Sequence, residues 1–268
     1  MEMEGEQRPY TLVPSTQVDG TGETCPREND LLVEHLMEVC IDGAPVLKIV
    51  CTPGKLVELV LGRLYTEGIV AGTEEIASIR LTPSGDRAEV QLCGPAAEER
   101  RETERYVETL LTSCPENRLL DDRYCRQVEL RPVTPMPWRK EWVFAMAGLL
   151  DKGTRLYRLT KGAHSCSLMT EGEIRCLCED ISRHNALDKA VGCALRQGRD
   201  LRRALLYTSG RVPTDMVKKV IRAGIPVLAS KTVPTRQAVE LAQAYGLTLL
   251  CTVTSGRLQL FSGISPEE

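Results

Sequence analysis

Eleven consecutive residues concentrate much of the chemistry this chain can offer: Glu179-Asp180-Ile181-Ser182-Arg183-His184-Asn185-Ala186-Leu187-Asp188-Lys189. Two adjacent carboxylates, a guanidinium, an imidazole, a carboxamide, a further aspartate and an ammonium lie within three helical turns. The run follows a strand-like stretch, 174–178, and opens a helix-like one, 186–195. In α/β proteins ligands bind where strands hand over to helices, and the first turn of a helix offers N–H groups to anions. A solvated helix start does not need this mixture of groups. Ser209-Gly210-Arg211 is a second junction of the same kind, between an apolar strand and the next helix. Its backbone N–H groups and guanidinium could face a phosphate. Lys218 and Lys219, farther along that helix, read as solvated surface.

His164 and His184, taken with Cys166, Cys176 and Cys178, raise the question of a metal. Cys176 and Cys178 sit two apart on a strand and share one face, and zinc would accept such a set. Ile174 has the same parity, which suits plain core packing, so no metal is expected. Both histidines then read as hydrogen-bonding contacts to a ligand. The chain holds 11 cysteines, an odd number without a repeated spacing, which argues against a disulfide scaffold. Most should be small buried hydrophobes, with one or two reactive thiols among them.

The elements that must position these residues follow from the pattern. Residues 1–30 are polar and rich in turn formers and read as an extended arm. A strand over 31–41 reaches the turn Asp42-Gly43, and 46–51 returns. Thr52-Pro53-Gly54 starts a helix that ends near Gly68, and 76–81 with 88–92 form another strand pair. This gives a smaller N-terminal α+β domain over 31–95. The segment 96–140 begins charged, carries Cys114 in a loop, and ends with Pro132, Pro135 and Pro137, the marks of a linker. From 141 to 268 helices alternate with apolar strands at 204–208, 225–230 and 247–253. That predicts an α/β domain with a parallel or mixed sheet covered by helices on both faces.

The bulk numbers narrow the function. At 268 residues the chain can bury a real core, and a formal charge of −3, with 34 basic and 37 acidic residues, gives no bulk nucleic-acid surface. Aromatic residues are 4% of the chain, which argues against base-stacking platforms. No apolar run approaches the roughly 20 residues that span a bilayer. The acidic start lacks a signal peptide's apolar centre, so a cytoplasmic location without membrane contact is expected.

The 179–189 run resembles the Glu-Asp-Val-Gly-Arg-His-Asn-Ala-x-Asp-Lys signature of the formate dehydrogenase accessory sulfurtransferases, the FdhD family, with changes at Ile181 and Ser182. Other blocks follow in the family's order from about residue 36 to 262. They include Asp42-Gly43 through Thr52-Pro53, Leu61-Gly62-Arg63-Leu64-Tyr65-Thr66-Glu67-Gly68-Ile69-Val70 and Leu159-Thr160-Lys161-Gly162-Ala163-His164. Ser209-Gly210-Arg211, residues 223–230 and Pro234-Thr235 complete the set. The resemblance implies a small N-terminal domain joined to a cytidine-deaminase-like domain. It does not imply deamination, because the His-x-Glu and Pro-Cys-x-x-Cys zinc signature is absent.

In that family a loop cysteine accepts sulfur from a cysteine desulfurase. It passes the sulfur to the molybdenum of the bis-molybdopterin guanine dinucleotide cofactor before insertion into formate dehydrogenase. Cys114, in Ser113-Cys114-Pro115-Glu116-Asn117, stands at the family's reactive position, and Asn117 replaces the second cysteine of its Cys-x-x-Cys. A single cysteine can still hold a persulfide; Cys125 is the nearest other thiol in sequence. The resemblance further implies that His164, Arg183, His184, Asn185, Ser209, Gly210 and Arg211 contact the cofactor. Thr252-Val253-Thr254-Ser255-Gly256-Arg257 matches the family's guanine-dinucleotide segment, with Thr252 and Thr254 standing for its Phe and Arg. A homodimer is implied as well. The alternative is a paralogue that grips the cofactor as a chaperone but moves no sulfur. A nucleotide hydrolase on the same scaffold finds no water-activating metal set.

Overall fold

The computed structural model describes residues 8–94, 108–110 and 130–267. Cys114 and Cys125, and most of the predicted 96–140 linker, lie outside the described residues.

The first described stretch differs from the extended arm expected of it. Asp19 accepts hydrogen bonds from Thr21 N, Thr21 Oγ1 and Glu23 N, an aspartate-centred turn that reverses the chain. The result is a two-stranded antiparallel ribbon, β1 (Tyr10–Val18) and β2 (Thr24–Leu32). The strand predicted over 31–41 is correspondingly broken, and β3 (His35–Ile41) starts afresh after residues 33–34.

β3 turns through Asp42 and Gly43, both at positive φ (50° and 80°), into β4 (Ala44–Cys51), the twist-matched hairpin that Asp-Gly favours. Helix α1 (Leu56–Thr66) follows, then β5 (Ile76–Leu81), β6 (Arg87–Leu92) and β7 (Glu108–Leu110). The sheet order is β5-β6-β3-β4-β7. Leu59, Val60 and Leu64 of α1 fall at helical spacing and bury against Met37, Val39, Ile49 and Val90.

The second unit contains α2 (Lys140–Asp151), α3 (Arg155–Thr160), β8 (His164–Thr170), β9 (Glu173–Asp180) and α4 (Arg183–Arg196). After it come β10 (Ala204–Thr208), α5 (Thr214–Arg222), β11 (Val227–Ser230), α6 (Arg236–Ala244), β12 (Thr248–Cys251) and β13 (Gln259–Ser262). The order is β13-β12-β11-β10-β8-β9, with β10, β11 and β12 parallel and β8 and β13 antiparallel to their neighbours. Leu206, Leu228 and Leu249 pack under α4, α5 and α6, while Leu205, Tyr207, Val227 and Leu250 pack under α2. Burial on both faces explains why these strands read as unbroken apolar runs. The larger mixed sheet with helices on both faces and the smaller β-rich N-terminal unit agree with the α/β layering expected.

Two local expectations need correcting. Ile174 does not share the buried face of Cys176 and Cys178; it is 38% exposed. A register shift pairs Leu168 with Cys176 but Met169 with Ile174, and a bulge of one residue moves the side chain to the other face. The proline-marked stretch 130–139 packs against the second unit. Val133 N bonds Tyr245 O at 2.9 Å, and the fully buried Trp138 donates from Nε1 to Ile264 O at 2.9 Å.

The two units meet where α1 crosses α4 at backbone contact. A Cβ on Gly62 would lie 1.8 Å from Asp188 O, and one on Gly192 would lie 1.9 Å from Glu58 O. Neither carbonyl can move without breaking its helix. Gly62→Ala and Gly192→Ala should each destabilise the protein by about 3 kcal/mol or more, through overpacking against backbone. Urea denaturation of each variant measures this; a loss within experimental error would mean the helices slide apart freely.

Candidate functional site

Because β9, β10, β11 and β12 all run the same way, their carboxyl ends share one edge of the sheet with the amino end of the antiparallel β8. That edge gathers Asp180 with the start of α4, Ser209-Gly210-Arg211, the turn after Ser230, residues 252–257 and His164. Ligands of open α/β sheets bind at such edges. Segments separated by up to about ninety positions in the chain therefore meet.

Arg183 and Gly210 touch: a Cβ on Gly210 would lie 2.8 Å from Arg183 Cβ and 3.1 Å from its Cδ. The missing side chain lets the guanidinium stem lie over the 209–211 turn. Arg183 also feels the charges of Asp215 and Arg211, and its Nε is buried with no hydrogen-bond partner among the described residues. His164 Nδ1 lies 3.5 Å from Ser209 Oγ, which accepts from Ser165 N at 2.9 Å. Burial, then the charge of Arg183, lowers the His164 pKa, so the ring is neutral near pH 7. Gly210 is fixed at both ends, its N donating to Thr208 Oγ1 and its carbonyl accepting from Ser230 Oγ. Arg211 is exposed at the rim.

The 252–257 segment divides. Thr252 takes a left-handed backbone (φ 50°) and its N bonds Thr232 O at 2.8 Å. Val253 is fully buried, its N on Ser230 O and its carbonyl accepting from Tyr207 OH. Its side chain belongs to the core beside Tyr207 and Leu250. Thr254, Ser255, Gly256 and Arg257 form an exposed turn closed by Thr254 N on Arg257 O at 2.8 Å.

Two buried charge networks hold the edge in place. Asp180, fully buried, accepts from Thr52 N, Thr52 Oγ1, Ser182 N and Asn185 Nδ2 at 3.0–3.1 Å and faces Lys189 Nζ at 2.7 Å. Lys189 also donates to Thr52 O, and Asn185 to Val50 O, both at 2.9 Å. Asn185, expected on the cofactor, is instead engaged in joining β4 to α4. In the second network Asp188 accepts from Thr66 Oγ1 at 2.7 Å and from Lys219 Nζ at 2.6 and 2.8 Å. Arg63 and Lys219 also pair with Glu67 at 3.1 and 3.0 Å. Lys219 is thus no surface lysine: it is 4% exposed, because two carboxylates on neighbouring helices require a buried cation.

Glu179 has a different task. Its carboxylate accepts from Leu156 N, Tyr157 N and Thr154 Oγ1, capping α3 and so fixing the approach to His164. His184 is buried, and neither ring nitrogen makes a hydrogen bond among the described residues. Its Nε2 lies 3.3 Å from Asp215 Oδ2, yet no ion pair forms. Burial, reinforced by Lys219, Arg183 and Arg63, pushes the imidazole down to about 2. Sequence reasoning missed Asp215, Thr52 and the pairing of Asp188 with Lys219. Each depends on a contact across more than thirty positions, for which the sequence carries no local signal.

Residues 32–266 match the profile of the FdhD/NarQ family. The sulfur carrier protein FdhD of Methanothermobacter thermautotrophicus is 30% identical, over 94% of this chain and 96% of its own length. That of Anaeromyxobacter dehalogenans strain 2CP-C is 34% identical over 87% and 86%. A crystal structure from Desulfotalea psychrophila, described as a formate dehydrogenase accessory protein, superposes with a TM-score of 0.77 at 23% identity, covering 96% of this chain and 98% of that one. Among the described residues no helix is long and apolar enough to cross a membrane.

The buried networks set a pH dependence. Burial alone would raise the Glu67 carboxyl, but Arg63 and Lys219 outweigh it and hold it at about 2, against 4.5 unperturbed. His184 at about 2 compares with 6.5 unperturbed. Both groups take up protons more readily in the unfolded chain, so their stabilisation is complete above the unfolded pKa and is lost as pH falls. The urea midpoint should be level above about pH 7, fall below about 6.5 as unfolded His184 protonates, and fall more steeply below about 4.5. Each proton contributes a slope of about 1.4 kcal/mol per pH unit. His184→Leu should flatten the upper part of that decline, and a wild-type midpoint constant down to about pH 4.5 would contradict the assignment.

Proposed function

The chain belongs to the FdhD/NarQ family, and from that premise we propose that it is a sulfur carrier in formate dehydrogenase maturation, with Cys114 as the transferring thiol. The thiolate of Cys114 attacks the outer sulfur of a desulfurase persulfide. A new S–S bond forms, the donor's bond breaks, and the donor leaves as a thiolate. The outer sulfur would then pass to molybdenum of the bis-molybdopterin guanine dinucleotide, which is substrate here: the S–S bond at Cys114 breaks, Cys114 leaves as a thiolate, and the metal supplies the two electrons that reduce the sulfur to sulfide. The relatives' names, sulfur carrier protein FdhD, support the role.

The observation that carries the cofactor part of this reading is the convergence on one edge of Arg183, Arg211, His164 and Ser209 with the 254–257 turn. A polyanionic dinucleotide needs cations and donors at the end of a parallel sheet, and an arginine Nε without a partner supplies one. His184 and the first turn of α4 lie beside it. Asn185, Thr252 and Val253 act as positioning residues, and Gly210 as the space that admits Arg183. The mixed sheet with helices on both faces supports assigning the larger unit to the cytidine-deaminase-like architecture. A homodimer acting in the cytoplasm completes the proposal.

Asn117 favours one competing reading. With Asn117 in place of the pair's second cysteine, the chain could hold the cofactor as a chaperone without moving sulfur. Cys114→Ala separates the two. Under the carrier reading the variant leaves the client formate dehydrogenase inactive while cofactor binding persists. Normal client activity in the variant strain would favour the chaperone.

The pocket is tested with GDP, a fragment of the proposed substrate. A charge-assisted hydrogen bond contributes about 1.5–3 kcal/mol, so Arg183→Ala and Arg211→Ala should each weaken binding by roughly ten- to a hundredfold. The exposed Lys152→Ala should leave it unchanged. Isothermal titration calorimetry measures this. Equal affinity in all four proteins would place the pocket elsewhere.

A further inference from the structure

On the α4 side of β9 three thiols meet a lysine and a glutamine. Cys176 and Cys178 lie two apart on β9, both buried, and Cys193 lies half-buried on α4. Gln197, one turn farther along α4, places Nε2 3.4 Å from Cys193 Sγ and 3.7 Å from Cys176 Sγ. Lys55, at the entry to α1, extends Nζ to 3.4 Å from Cys178 Sγ and 2.9 Å from Leu177 O. Lys55 is itself held in a left-handed backbone, φ 51°, which an ordinary residue adopts only at a cost. Three elements from both units thus converge on one group of sulfurs.

The arrangement is polarised. Cys193 is the half-buried member of the three and accepts from Gln197 Nε2, while Cys176 and Cys178 are buried. Its two sulfur neighbours, with the charge of Lys55 and the Gln197 amide, hold the Cys193 thiol below the ordinary cysteine range. Contact with Cys193, then burial, pushes the other two up. Core packing does not require this. Cys166 and Cys251 are also fully buried, and burial dominates the rise in both. A half-buried thiol with an amide donor on it and a lysine on its neighbour is instead suited to nucleophilic attack on sulfur.

We propose that Cys193 is a second sulfur-accepting site, which takes the outer sulfur of a low-molecular-weight persulfide, R–S–SH. The Cys193 thiolate attacks that outer sulfur. The new Sγ–S bond forms as the donor S–S bond breaks, and R–S⁻ departs with the electron pair. The product is Cys193–S–SH, the outer sulfur keeping its hydrogen. The donor arrives already oxidised, so no further oxidant enters. Lys55, Gln197 and the two buried thiols then surround the bound sulfur. The site goes beyond the role of Cys114 and does not rest on it.

The test uses the full chain, as wild type, Cys114→Ser, Cys193→Ser and Lys55→Met, with glutathione persulfide as the probe. After alkylation and tryptic digestion, mass spectrometry follows residues 190–196, a peptide whose one cysteine is Cys193. That peptide should gain one sulfur in wild type and equally in Cys114→Ser, at least about tenfold faster than the exposed Cys25. Lys55→Met should slow the gain by about tenfold with its melting temperature little changed. Cys193→Ser should abolish it, and if that variant fails to fold, the wild-type and Lys55→Met rates still decide. Sulfur appearing on Cys25 while Cys193 stays unmodified would overturn the proposal. So would equal rates in wild type and Lys55→Met. Failure at Cys114 is read on a different peptide and leaves this result untouched.

Discussion

Two carboxylates without contact with water, Asp180 and Asp188, are the constraint on which the rest of the structure depends. A buried carboxylate is tolerated only when a cation and hydrogen-bond donors surround it. Lys189, on the same helix as Asp188, meets Asp180, and Lys219 meets Asp188 from a different helix. Ser182 and Asn185 also donate to Asp180, and further donors come from Thr52 and Thr66, at the two ends of the segment that carries α1. Charge is balanced within the second unit, but the donor set around both carboxylates is completed only by the first. Docking of the N-terminal sheet and helix onto α4 is a requirement of hydrogen bonding as well as of apolar packing.

That requirement explains the glycines at the crossing. Contacts of 2.6–3.0 Å between α1 with its C-cap, α4 and α5 need the helix axes close together, and Gly62 and Gly192 remove the side chains that would hold them apart. Close packing in turn fixes the start of α4 against the sheet. Arg183 and His184 are thereby placed at the ends of the parallel strands by a rigid frame, as a binding constellation demands. The cost of burying four charged groups at the crossing fits a role in specifying one geometry.

Sulfur chemistry is sorted by burial in the same frame. Cys51 and Cys251 are pushed up to about 12 by burial, with Asp180 adding to the effect at Cys51. Thiols so placed are inert fillers. Cys193 differs because a lysine from the other unit and two neighbouring thiols reach it. Among the described cysteines the seam between units thus sets Cys193 apart from the buried fillers, at a distance from the edge that gathers the arginines.

The sequence by itself determined the elements, the alternation of strands and helices in the second unit, and the family. Apolar periodicity and turn residues are local, and each strand of the parallel sheet is a continuous apolar run because both its faces are covered. It also marked the 179–189 run, since so many polar types rarely crowd one helix start. It did not determine what each of them does. Glu179 caps α3, Asp180, Asn185 and Lys189 form the joint to β4, Asp188 pairs with a lysine on α5, and Arg183 lies over the 209–211 turn beside Gly210. Lys219 read as surface and is core, and Ile174 read as core and is exposed. These roles are set by partners more than twenty positions away or by a one-residue bulge. A helix or strand pattern records which face is apolar, and only the packed structure decides which distant charge completes it.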